Sequence, residues 1–221
     1  MADFWETLSE RGCRSLLILS PHPDDEVFGL GGVMTLAVRR GLVLTVIAVT
    51  DGEASHARSA RIAPDELIAR RLSEVYRAYA ELGVSPSRVR LGLPDAGVTV
   101  QSLVKLLPSF LVDGCALLSP LPDDGHPDHD ACGLAAASCA AEQGLPMFAY
   151  PVWAYHRGPG LNPDKATWRI DIPAEALDGK RRAMACFTSQ LVALGPSPGD
   201  GPVLAPGFVE PFSRPVEVLY S

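Results

Sequence analysis

The chain has 221 residues, 47% hydrophobic and 20% charged, a globular balance long enough for one α/β domain with a substantial core. Its formal charge of −7, with no basic run to offset it, argues against nonspecific binding to nucleic acid or to anionic membranes. The longest apolar runs, "SLLILS" and "GLVLTVIAVT", are about half of what a membrane-spanning helix needs, so no membrane span is expected.

The N-terminal stretch "MADFWETLSERGCRSLLIL" sets acids before the apolar run, the reverse of a secretory signal, and a cytoplasmic location is the expectation. The five cysteines (Cys13, Cys115, Cys132, Cys139, Cys186) show no C-x-x-C spacing and read as small buried hydrophobes of a reducing compartment.

Apolar, β-rich runs at 15–19, 43–49, 88–91, 116–119 and 147–150 alternate with helical patterns at about 29–40, 64–83, 100–112 and 128–143. Pro64 with Asp65 and Glu66 opens a helix, and Gly83 closes it. Strands this apolar, alternating with crossover helices, predict an α/β fold: a Rossmann-like, doubly wound, mostly parallel sheet in three αβα layers. Beyond residue 150 the order weakens into a loop, "YPVWAYHRGPGLNPDK", a strand in "ATWRIDI", a long helix over "PAEALDGKRRAMACFTSQL", an irregular loop and a closing strand "PVEVLYS". No linker separates these parts. The whole of 1–221 therefore reads as one domain, with a core at 14–150 and a C-terminal extension at 151–221.

In such sheets ligands bind at the carboxyl ends of the strands. The first run leads into His22, Asp24 and Asp25, the second into Asp51 and Glu53, and the third into Asp95. The fourth leads into Asp123, Asp124, His126, Asp128 and His129. His22 and Asp25 are three residues apart, and His126 and His129 repeat that spacing. Either segment alone is accounted for by helix capping. Both together, at the ends of two parallel strands, point to a metal site, since neutral imidazole and carboxylate are the usual ligands of zinc.

"SPHPDDEVFGLGG" with "GHPDHDACG" downstream resembles the PIG-L/LmbE-like zinc de-N-acetylases, which carry an [A/S]-H-P-D-D-E signature and a later H-x-x-H. The likeness continues through "VTDGE", "ARRLSEVYRAYAELGV", "LGLPDAG" and "KRRAMACFTSQL" in the expected order. The resemblance implies one zinc per chain, bound by His22, Asp25 and His129, with Asp24 as general base. It makes His126, as an imidazolium, the group that stabilises the tetrahedral intermediate. It implies removal of an acetyl group from an N-acetylglucosaminyl-type sugar or glycoconjugate, and it leaves room for a homo-oligomer. A metal-dependent amidohydrolase or esterase acting on another amide, carbamoyl or ester group is the alternative.

Glu26 either braces the loop, faces solvent or caps the helix. Arg71 reaches the rim to bind substrate, or pairs with Glu74 or Asp51. Asp95 binds sugar hydroxyls or closes the turn before Gly97, and with Asp51 and Asp124 it would supply acceptors. Some relatives place a tyrosine near the second histidine motif; here Tyr150, Tyr155 or His156 would have to replace it. His56 reads as a surface residue or part of a flap, and Trp153 as a stacking wall or core. The loops at 52–63, 151–166 and 195–207 are expected to set substrate choice.

Overall fold

The computed structural model describes residues 3–156 and 166–221. Five strands, β1 (Ser15–Ser20), β2 (Val43–Ala48), β3 (Ser87–Arg90), β4 (Cys115–Pro120) and β5 (Met147–Tyr150), form one sheet in the order β3-β2-β1-β4-β5. Every pair in it is parallel. Successive side chains of a strand point to opposite faces. Leu16 and Ile18 of β1 thus join one apolar cluster while Leu17 and Leu19 join the other.

Helices cover both faces. On one lie α2 (Asp25–Arg39) and α3 (Pro64–Leu82), on the other α4 (Val100–Leu106) and α5 (Pro127–Gln143). The expected doubly wound, three-layer α/β architecture is therefore present. No helix of the described residues is long and apolar enough to cross a membrane. All five cysteines are free.

The structure differs from the sequence expectation at four helices. A short α1 (Phe4–Glu10), capped by the Asp3 side chain, precedes the sheet and buries Phe4 and Leu8. The helix expected from 29 begins at Asp25, because its glycines serve close packing rather than a turn. A Cβ on Gly29 would lie 2.4 Å from the Tyr150 ring, and one on Gly32 2.5 Å from Ile172. α4 stops at Leu106, where Pro108 leads the chain into a 3-10 turn. The late helix is broken into α6 (Ala174–Ala185) and α7 (Thr188–Leu191), with the fully buried Phe187 packed beside Phe28 at the break.

The C-terminal segment packs into the same layers. Strands β6 (Trp168–Asp171) and β7 (Val216–Leu219) pair antiparallel, and a bridge from Tyr220 to Ala149 ties them to β5. Glu217 of β7 accepts the backbone N–H groups of Gly32 and Val33 in the middle of α2, both at 2.7 Å. Lys180 of α6 donates to the same carboxylate at 2.6 Å, and both side chains are buried. Removing one partner of a buried ion pair typically costs about 3–5 kcal/mol, because the other charge is left uncompensated. Lys180→Met is therefore expected to lower Tm by roughly 6–20 °C in thermal unfolding. A shift within about 2 °C would show that the two α2 amides alone satisfy Glu217.

Candidate active site

The strand order reverses between β1 and β4, and ligands of open α/β sheets bind at this point. The loop leaving β1 carries His22, Asp24 and Asp25 into α2, and the loop leaving β4 carries Asp124 and His126 into α5, whose first turn holds His129. The topology thus brings together two segments about a hundred residues apart in sequence.

Three donor atoms form a nearly equilateral triangle. His22 Nδ1 lies 3.2 Å from Asp25 Oδ2 and 3.2 Å from His129 Nε2, and His129 Nε2 lies 3.1 Å from Asp25 Oδ2. Ligand bonds of about 2.0–2.1 Å in tetrahedral geometry place neighbouring ligand atoms about 3.3–3.4 Å apart. The triangle is within a few tenths of an ångström of that spacing.

The other nitrogen of each ring faces carboxylate. His129 Nδ1 meets Asp124 Oδ2 at 2.8 Å, and His22 Nε2 meets Asp95 Oδ1 and Asp128 Oδ2, both at 3.2 Å. Such partners take the ring N–H and turn the opposite lone pair toward a cation. Both Asp124 and Asp128 are themselves fixed by backbone. Asp124 accepts from the N–H groups of Val152, Trp153 and Ala154, and Asp128 from those of Ala96 and Val98. Among the described residues, no Lys or Arg pairs with Asp25, Asp95, Asp124 or Asp128. A concentration of buried carboxylates met by imidazoles and backbone amides, with no paired Lys or Arg among the described residues, fits a bound cation.

His126 brings a ring nitrogen within 4.8 Å of those of His22 and His129. Its Nδ1 accepts the Asp128 N–H at 3.3 Å, which in the neutral ring leaves the proton on Nε2 as a donor. Burial, then His22 and His129, push its pKa down and favour the neutral ring. The arrangement is therefore able to bind a metal through His22, Asp25 and His129, with His126 beside it.

The remaining two acids of the first motif have separate partners. Asp24 Oδ2 accepts from Arg71 Nη2 at 3.1 Å, and Arg71, only 2% exposed, also donates to the carbonyls of Pro23 and Gly52. Burial pushes the Asp24 carboxyl up to about 7, against the pull of Arg71. Asp25 moves the opposite way: burial is overridden by His129 and His22, which hold it far below the usual carboxylate range. Glu26 is fully buried and accepts from Ser20 Oγ, Tyr79 OH and Arg88 Nη1, so it braces the loop and does not face solvent.

A cavity of about 170 Å³ opens over this cluster. His22, Asp24, Asp25, Arg71, Asp95 and His126 form its polar side, and Phe28, Trp153, Val203, Leu204 and Phe208 its apolar side. Each loop expected to set specificity contributes: Ala54 and Ser55 from the first, Trp153 from the second, Val203 and Leu204 from the third. Residues 157–165 of the second lie outside the described residues.

Several expectations change. Asp124 is no rim acceptor, since it is 0% exposed and spent on His129 and three amides. Asp51 is paired with Arg90 at 2.7 Å through both oxygens. Arg71 pairs with neither Glu74 nor Asp51 but with Asp24. His56 is buried, 5% exposed, not on the surface. No replacement tyrosine reaches the cavity: Tyr150 OH donates to the Leu19 carbonyl, Tyr155 packs edge-on to Phe212, and His156 stacks on Phe208. Sequence reasoning misses the orienting roles of Asp124 and Asp128; their position one or two residues before the histidines of the second motif is the only signal.

Residues 17–140 match the profile of the PIG-L family, described as GlcNAc-PI de-N-acetylases. The chain belongs to this family. Among curated relatives, the diacetylchitobiose deacetylase of Thermococcus kodakarensis is 29% identical over 144 residues, covering 61% of this chain and 52% of that protein. A 1D-myo-inositol 2-acetamido-2-deoxy-alpha-D-glucopyranoside deacetylase of Mycobacterium sp. is 30% identical over 142 residues, covering 52% of this chain and 46% of that protein. The chain thus spans about half the length of the curated relatives it matches. Two solved structures share the fold. A conserved protein of Thermus thermophilus superposes with a TM-score of 0.67 at 24% identity over 93% of both chains. The N,N'-diacetylchitobiose deacetylase of Pyrococcus horikoshii gives 0.66 at 19% identity, over 99% of this chain and 92% of that one.

The orienting carboxylates give this PIG-L site a test of its own. Asp124→Ala and Asp128→Ala should each weaken metal binding about 10–100-fold although neither is a ligand, as loss of an orienting partner of a metal-bound histidine typically does. Competition titration against a chromogenic chelator measures this. Unchanged affinity in both variants would mean that the histidines are oriented by packing alone.

Proposed function

We propose that the protein is a zinc-dependent hydrolase that removes the acetyl group from an N-acetylglucosaminyl-type sugar or its conjugate. The observation that carries the reading is a carboxylate, Asp24, directly adjacent to the His22–Asp25–His129 triangle, held by Arg71 and not by the triangle. One zinc per chain, held by His22, Asp25 and His129, would polarise the acetamide carbonyl and acidify a water toward a pKa of about 7.

The chain supplies the rest. Asp24 takes the water proton and returns it to the departing amine, a task that needs a base fixed within reach but free of the metal. Arg71 clamps that carboxylate from behind. His126 donates its Nε2–H to the oxygen that develops charge. Arg71 and Asp95, both lining the cavity, are the residues we assign to the sugar itself, through the faces their internal bonds leave open. The curated relatives, named as deacetylases of N-acetylated amino sugars, support this substrate class.

Asp24→Asn should retain stoichiometric zinc and lose about 10²–10⁴-fold in kcat, measured as acetate release from N-acetylglucosamine. Near-normal turnover would move the base elsewhere. N-acetylated amino acids should be far poorer substrates, and equal kcat/KM on both would favour the broader amidohydrolase or esterase.

The Arg71 clamp has its own test. Gly52 has φ +70°, and a Cβ there would lie 1.8 Å from Arg71 Nη1. Gly52→Ala should therefore displace Arg71 and lower kcat at least about tenfold with zinc content unchanged. Full activity would show that Asp24 needs no clamp.

A further inference from the structure

The segment following α6 carries a polar residue that no catalytic role uses. Gln190 is 2% exposed and lines the cavity. Its backbone carbonyl receives the N–H groups of Val203 and Leu204, so the residue also anchors the loop that forms part of the apolar side.

The orientation of its amide is fixed by chemistry. Ser189 Oγ lies 2.6 Å from Glu74 Oε2, and Ser189 N and Thr188 Oγ1 also donate to Glu74. A carboxylate only accepts, so the Ser189 hydroxyl proton points at Glu74. Ser189 Oγ then has only lone pairs left for Gln190, 3.0 Å away, which must turn its NH₂ group toward it. The flipped amide would set oxygen against oxygen. Ser55 Oγ lies on the same NH₂ group at 3.5 Å. The Gln190 Oε1 atom has no protein partner among the described residues, yet it is not a sealed buried atom, which leaves the cavity as the space it meets.

We propose that Gln190 Oε1 is a specificity-determining acceptor for a hydroxyl of the amino sugar, its polarity fixed by the Glu74–Ser189 relay. The inference rests on the proposed deacetylation. The acetamide belongs at the end of the cavity lined by His22, Asp24 and Asp25, so the donor that meets Gln190 is a ring or exocyclic hydroxyl. A site built to bond a hydroxyl rejects the analogue lacking it, because the buried acceptor is left without a partner.

The test is a cycle of enzyme variants against substrate deoxygenation. Zinc-loaded wild type, Gln190→Met and Ser189→Ala are assayed for acetate release from N-acetylglucosamine and its 3-, 4- and 6-deoxy analogues. Gln190→Met should lose roughly 10–100-fold in kcat/KM on the parent sugar, mainly through KM, with zinc content and Tm retained. One deoxy analogue should show a similar loss with wild type and no additional loss with Gln190→Met. Ser189→Ala, which keeps the glutamine but frees it to turn, should show an intermediate loss confined to the same hydroxyl. This second variant decides the matter should Gln190→Met fail to fold. Equal, additive losses for every analogue in wild type and variants overturn the proposal while the deacetylase reading stands. Absence of acetate release from every sugar with wild type overturns both.

Discussion

Three consecutive carboxylates, Asp24, Asp25 and Glu26, are buried at a single turn, and the structure holds them by neutralising each from a different direction. Like charges this close disfavour ionisation unless each has its own partner. Arg71 of α3 reaches Asp24, Arg88 of β3 reaches Glu26, and the two imidazoles converge on Asp25. The partition has a functional consequence. With both guanidinium groups committed to the flanking acids, Asp25 alone faces the histidines. That position suits Asp25, rather than its neighbours, to the ligand role proposed for it.

That partition depends on topology. Arg71 and Arg88 come from elements on the β2–β3 side of β1, whereas Asp124, His126 and His129 come from β4 and α5 on the other side. The reversal of strand order beside β1 lets one loop be approached from both flanks. Close packing tightens the approach. A Cβ on Gly133 of α5 would lie 2.5 Å from Pro122 N, so only glycine lets α5 draw near the loop that carries Asp124. The Glu217–Lys180 pair performs a related task at the far side of α2. Its carboxylate holds the middle of the helix whose first turn supplies Asp25 and Glu26.

Much of this is legible in the sequence, and the reason is physical. The five strands are continuous apolar runs because a parallel sheet is covered on both faces, and the histidine motifs fall directly after two of them. The triangle of His22, Asp25 and His129 and the neighbouring Asp24 and His126 can therefore be located by residue number. Partners chosen by long-range packing cannot. Arg71 is readable as a cavity residue but not as the clamp on Asp24, since that contact spans 47 positions and depends on the positive φ of Gly52. The start of α2 is hard to place because Gly29 and Gly32 weaken a helix locally, and only the Tyr150 ring and Ile172 explain their presence. The resemblance runs through "KRRAMACFTSQL" without singling out Gln190, whose orientation is decided by a glutamate over a hundred residues away.

Within the proposed deacetylation, the contacts of His126 favour a neutral ring over the expected imidazolium. His126 is the N-cap of α5, a 17-residue helix whose positive end points at the ring. Its Nδ1 accepts a backbone N–H, its surroundings are buried, and two further histidines and the proposed cation lie close by. Each of these disfavours a second proton. In the proposed mechanism a neutral ring with its proton on Nε2 would still present a directed donor to the developing oxyanion, without adding a like charge beside the proposed cation. The same helix N-terminus thus fixes a donor at His126 and, one turn on, carries His129, with Asp124 behind it, into the proposed metal site.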